Sequence, residues 1–234
     1  VFVHGSGPGV TAYANWRGVL PVLGERFRCV APDMVGFGYS ERPENPSYNL
    51  QTWADQTLGV MDALGIEKAH LVGNSFGGGI ALRLATRHPE RVDKLVLMGS
   101  MGVPFEITEG LDNVWGFQGT LEHMKSVMGY FAYDKSLTSG DLAQARFEGA
   151  TQPGFQESFS SMFPAPRQRW VESMTVADEE IRSLFEARRL VEIGQILERR
   201  NERLTEWMRW GAFSGQVTLE YQQLLAYDNG EYRL

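Results

Sequence analysis

One stretch constrains the fold more than any other: Leu71-Val72-Gly73-Asn74-Ser75-Phe76-Gly77-Gly78-Gly79, a G-x-S-x-G pattern set between an apolar run and a helix-forming one. Small residues on both sides of Ser75 let the chain pass from strand to helix through a strained turn, which lifts the serine hydroxyl above the sheet edge. The helix N-terminus that follows favours negative charge developing beside that hydroxyl. A pattern this short recurs by chance, so its meaning depends on what surrounds it.

Short β-branched runs at 1–4, 27–31, 70–72 and 95–98 alternate with segments at 52–64 and 77–87 whose apolar residues fall at helical spacing, the second stopped by His88-Pro89. This rhythm predicts a parallel sheet covered by helices. From about 102 to 178 the β rhythm stops, and helical spacing is broken at Gln152-Pro153-Gly154 and Phe163-Pro164-Ala165-Pro166. Helices inserted after a sheet strand can form a lid over a pocket; one more helical layer is the plainer alternative. The segment 184–208, with Leu190, Ile193, Leu197, Leu204 and Trp207 among Arg and Glu, predicts one or two amphipathic helices. Asp228-Asn229-Gly230 is a hairpin-turn signal.

Composition excludes several partners. A chain of 234 residues, 43% hydrophobic and 22% charged, suits one well-buried globular domain. A net charge of -7 argues against nucleic acid or an anionic membrane, although a single Arg suffices to bind an anionic substrate. No apolar run approaches the roughly 18 to 20 residues of a membrane span. Val1-Phe2-Val3 reads as a strand already under way rather than a signal peptide. The single cysteine, Cys29, excludes an internal disulfide and suits a reducing cytoplasm; within 27–31 it reads as an inert thiol on a buried strand. Nothing calls for a metal or cofactor.

Two further motifs reinforce the first. His4-Gly5-Ser6-Gly7-Pro8-Gly9 directly follows the first strand, where a Gly-rich turn lets backbone N–H groups approach a substrate oxygen; with the N–H of Phe76 it would form an oxyanion hole. A phosphate loop is the alternative, but dinucleotide spacing and a Walker lysine are both missing. Ala31-Pro32-Asp33-Met34-Val35-Gly36-Phe37-Gly38-Tyr39-Ser40 is a strand end running into a second Gly-rich turn. In this order the three motifs resemble the α/β-hydrolase superfamily. Together with Ala14-Asn15-Trp16-Arg17 and the stretch 152–170, they resemble its meta-cleavage product hydrolases, as in 2-hydroxymuconate-semialdehyde hydrolase and its alkylbenzene-pathway relatives, over about residues 1–184.

The resemblance implies an α/β-hydrolase fold with a core at 1–101, a helical lid at 102–183 and a segment at 184–234 outside the family pattern. It also implies cofactor-free hydrolysis of a C–C bond in a small 2-hydroxy-6-oxo-dienoate. Ser75 would be the nucleophile, with the backbone N–H groups of Ser6 and Phe76, beside Gly5, holding the oxyanion. Asn15 and Asn74 would touch the oxygen-bearing end of the substrate, and Arg146 would pair with its carboxylate, a geometry suited to a planar guanidinium. A solvated helix charge is the alternative for Arg146, and an esterase or a non-catalytic binding protein of the same fold is the alternative for the chain. A homo-oligomer stays open.

The superfamily order is serine, then acid, then histidine. The four histidines are His4, His70, His88 and His123, and none occupies a late loop; His123, in the lid segment, is the one candidate substitute, with a lid or core role favoured. From Phe185 the text departs from the family pattern, and the first strands of the usual fold are missing too. The sequence therefore reads as an incomplete copy with a foreign or frame-shifted 184–234, a natural chimera being the alternative, and little or no activity is expected of it, because loss of triad members costs orders of magnitude in rate.

Overall fold

A computed structural model describes residues 1–131 and 140–186. Its centre is a parallel sheet in the order β1-β2-β3, made of β1 (Phe2–Val3), β2 (Ala69–Asn74) and β3 (Val92–Met98). The register is Phe2↔Val72 and Val3↔Gly73 on one side of β2, and Leu71↔Leu95 through Asn74↔Met98 on the other. Before β2 come α1 (Ala12–Trp16), α2 (Leu20–Gly24) and α3 (Leu50–Ala63); α4 (Phe76–Arg87) joins β2 to β3. The first and third of these helices start where the sequence offers a side-chain cap. Thr11 accepts from the Ala14 N–H and Asn49 from the Thr52 N–H, each satisfying an otherwise orphaned donor.

The expected strands at 1–4, 70–72 and 95–98 are present, the second and third longer than the spacing suggested. The run 27–31 is not a strand. Phe27 is in a bend, its N–H donating back to the Leu23 carbonyl at 2.9 Å, and the bond the run makes to β1 is the Phe2 N–H donating to the Val30 carbonyl at 2.8 Å; Phe27 is 54% exposed. A β-rich run becomes a ladder only where neighbours pair with it, and one bond does not make a ladder. Cys29 is accordingly half-buried rather than enclosed in a strand.

After Met98 the described residues hold helices only: α5 (Glu109–Trp115), α6 (Leu121–Phe131), α7 (Asp141–Ala150), α8 (Phe155–Met162), α9 (Gln168–Ser173) and α10 (Asp178–Glu186). The two expected breakers separate α7 from α8 and α8 from α9, and Gly154, with φ +80°, makes the first turn. The Val176 N–H donates to the Gly102 carbonyl at 2.8 Å, so this helical excursion returns to its starting point. It does not build a core of its own. Phe163, Trp115 and Phe159 join Phe76, Trp53, Met34 and Leu71 in one buried cluster over the sheet's upper end. Phe76 meets Trp53 edge-on at 4.6 Å and Phe163 at 6.0 Å, so the residue after Ser75 is clamped between core and lid. α10 runs through residue 184, and the helices expected beyond it and the turn at 228–230 lie outside the described residues. No described helix is long and apolar enough to cross a membrane.

Candidate active site

Ser75 joins the end of β2 to the start of α4 with φ 51° and ψ -116°, the one positive φ at a non-glycine among the described residues. Such a conformation costs on the order of 1–3 kcal/mol and persists only where its surroundings over-determine it. They do so here through backbone bonds. Ser75 N–H donates to the Met98 carbonyl at 2.8 Å, and the Ser75 carbonyl accepts from Gly78 at 2.9 Å and Met101 at 3.0 Å. The two motif glycines are steric necessities. A Cβ on Gly77 would lie 2.2 Å from the Val3 carbonyl oxygen, and one on Gly73 would lie 2.6 Å from that of Gly77. A serine before a helix usually caps it, but at this φ the Ser75 side chain makes no capping bond. Its hydroxyl is left at the helix N-terminus with no structural duty.

The Gly-rich turn after β1 packs against this elbow: a Cβ on Gly5 would sit 3.5 Å from Ser75 Cβ. Asn15 Oδ1 fastens the two together, accepting from the Gly5 N–H at 2.8 Å and from Asn74 Nδ2 at 3.2 Å. The Gly5 N–H is thus engaged with Asn15, and the candidate oxyanion donors beside it are the N–H groups of Ser6 and Phe76. The lid reaches the same turn, since Trp115 Nε1–H donates to Ser6 Oγ at 2.8 Å. Ser75, Ser6, Phe76, Asn15 and Asn74 are thus one cluster.

Arg146 stands apart from that cluster. It is exposed on α7 and forms no hydrogen bond or ion pair among the described residues. Its helix is nevertheless seated on the Gly-rich turn one turn further on, where a Cβ on Gly9 would meet the Ala150 nitrogen at 2.8 Å.

Every histidine is committed elsewhere. His4 is fully buried; its Nε2 accepts from the Met34 N–H at 2.9 Å, so Nδ1 carries the proton and donates to the Gly5 carbonyl at 2.8 Å. Burial pushes its pKa down, and it is a neutral brace for the turn. His123 takes the Gln118 N–H on Nδ1 at 3.1 Å and gives its Nε2–H to Asn113 Oδ1 at 2.7 Å, which fixes it as a lid residue and removes it as a substitute base. His70 pairs with Asp93 at 3.1 Å near the start of β2, roughly 16 Å along the strand from Ser75. His88 ends α4, about 19 Å along the helix from Ser75. Asp33 is no triad acid either, because its two carboxylate oxygens accept from the Ala12 and Tyr39 N–H groups. No group of three or more metal-ligating side chains occurs among the described residues.

A strained serine on a strand-to-helix elbow, faced by a glycine turn and roofed by helices, is the arrangement the sequence resemblance implied, and comparison with known proteins decides the matter. The α/β-hydrolase fold family matches residues 1–174. The chain belongs to that family. Over 184 residues it is 58% identical to the 2-hydroxymuconate semialdehyde hydrolase of Pseudomonas sp. (strain CF600), covering 79% of this chain and 65% of the relative. It is 54% identical to the 2-hydroxy-6-oxo-2,4-heptadienoate hydrolase of Pseudomonas putida, covering 67% of that protein. Among solved structures, the meta-cleavage product hydrolase of Pseudomonas fluorescens IP01 superposes with a TM-score of 0.76 at 56% identity, over 78% of this chain and 67% of that one. The 2-hydroxy-6-oxo-6-phenylhexa-2,4-dienoate hydrolase of Rhodococcus sp. strain RHA1 gives 0.69 at 36% identity, over 76% and 66%. The chain thus spans about two thirds of the length of the relatives it matches.

The link between Trp115 and Ser6 had no sequence signal. The two residues are 109 positions apart, and Trp115 sits in a pattern that reads only as helix. Asn15 was legible as a site residue, but its use as a clasp between turn and elbow was not.

Proposed function

We propose that this α/β-hydrolase acts on 2-hydroxy-6-oxo-dienoates, the substrate class named for its relatives, and that Ser75 is its nucleophile. The observation that carries the reading is the strained Ser75 with its uncommitted hydroxyl, packed against the Gly-rich turn. The N–H groups of Ser6 and Phe76 hold the oxygen of the attacked C6 carbonyl, and Asn15 and Asn74 orient the oxygen-bearing end. Arg146 pairs with the carboxylate; what supports this is a planar guanidinium on the helix whose Ala150 packs on the Gly-rich turn. Ketonisation of the dienol first makes C5 a workable leaving group. Addition at C6 then allows the C5–C6 bond to break with its electron pair going to C5, giving a 2-hydroxypentadienoate and a carboxylic acid, with one water consumed. Residues 1–101 form the core of this arrangement and 102–183 its lid. The single half-buried cysteine suits a reducing cytoplasm.

A base is needed to take the Ser75 proton, and the four histidines are engaged elsewhere. None of the four serves Ser75, and substrate specificity is best read on a chimera whose residues after 184 are replaced by the corresponding part of the Pseudomonas sp. relative. Loss of dienoate absorbance faster than cleavage of a p-nitrophenyl ester supports the C–C reading. Ester cleavage alone would make the protein an esterase.

A further inference from the structure

Trp115 does more than fill the lid. Its indole is 1% exposed, and the one polar atom it carries is given to Ser6 Oγ, a side chain of the Gly-rich turn rather than a nearby carbonyl. The Ser6 N–H shares its peptide plane with the Gly5 carbonyl, which His4 Nδ1–H holds at 2.8 Å from the core side, while the Trp115 bond holds the Ser6 side chain from the helical side. The same indole lies flat on Phe163 at 4.5 Å and 5°, and Phe163 in turn meets the ring of Phe76 edge-on at 6.0 Å. Directly or through one ring, Trp115 therefore touches both residues assigned to the oxyanion hole.

We propose that Trp115 is a positioning residue whose hydrogen bond to Ser6, acting with the His4 bond to the Gly5 carbonyl of the same peptide plane, sets the orientation of the Ser6 backbone N–H, so that the oxyanion hole is complete only while α5 is seated on the turn. The proposal rests on the assignment of Ser6 and Phe76 above and deepens it. Position 115 is then constrained by the chemistry as well as by packing, and a residue that fills the same volume without an N–H does not replace it.

The test uses Trp115→Phe, which keeps a flat ring against Phe163 and loses the donor, together with Ser6→Ala and the double variant of the full chain. Phosphonylation of Ser75 by a fluorophosphonate is followed at alkaline pH, where hydroxide takes the serine proton, and separated into maximal rate and half-saturating concentration. Each single variant is expected to lower the maximal rate on the order of tenfold, less than outright loss of an oxyanion donor, with half-saturation unchanged. The double variant loses no more than either single one, because both act through one bond. Deuterium exchange of the amides at 5–9 rises equally in all three while β3 is unaffected. Maximal rates equal to the parent's, or losses that multiply in the double variant, overturn the proposal. If the parent chain is not labelled at Ser75 at all, the nucleophile reading fails, and amide exchange alone decides the positioning role: raised exchange upholds it and unchanged exchange overturns it.

Discussion

At the scale of single residues, stability is given up for a free hydroxyl. Ser75 is held at φ 51° with no capping bond in return. Ser75→Gly relieves strain of about 1–3 kcal/mol and gives back part of it as unfolded-state entropy, so a net gain of about 1 kcal/mol is expected in urea unfolding, together with complete loss of labelling. Gly77→Ala goes the other way. Its Cβ would be driven into the Val3 carbonyl, and a loss of at least about 1–3 kcal/mol follows, with the elbow displaced. His4 supplies a pH dependence. Burial lowers its folded-state pKa below the ordinary 6.5, so the unfolded chain binds the proton first. The stability His4 contributes is therefore intact above 6.5 and falls with decreasing pH below it, by up to about 1.4 kcal/mol per pH unit. Unfolding free energy measured from pH 7.5 to 5 is expected to fall more steeply in the parent than in His4→Gln. Ser75 and both motif glycines were legible in the sequence because the motif is a local steric solution. The role of His4 was not, since the Met34 N–H that fixes its tautomer arrives from 30 residues away.

At the scale of elements, the helical stretch proved to be a closed excursion, with Gly102 and Val176 bonded at its base. Local apolar spacing and the two proline-containing breakers foretold its helices, but where those helices land depends on contacts between distant residues. α8 shows this. Ser158 Oγ, buried in that helix, lies 2.9 Å from Tyr48 Oη and donates to the Gly36 carbonyl at 2.9 Å, pinning the lid to the turn that follows Asp33. Ser158→Ala leaves two buried polar groups unpaired and is expected to cost about 1–3 kcal/mol; Tyr48→Phe, which keeps the Ser158–Gly36 bond, is expected to cost less. Thermal unfolding of the two variants checks the order. The run 27–31 marks the limit of reading elements from composition: its residues favour a strand, yet pairing is a property of neighbours.

At the scale of the molecule, fold and chemistry separate. A contiguous core, the elbow, the turn and the lid are all in place, and the family follows from them. Proton transfer does not, because His4 and His123 have both ring nitrogens bonded, His70 and His88 lie far from Ser75, and Asp33 is occupied. The central claim is that Ser75 is a preorganised nucleophile that no histidine among the described residues serves as a base. The most direct test supplies one. Phosphonylation of the intact chain, mapped to Ser75 by peptide mass spectrometry at neutral pH, is expected to be slow in plain buffer, to rise in proportion to added imidazole, and to vanish in Ser75→Ala. Rapid labelling of Ser75 that imidazole does not change would show a base already at work and contradict the account.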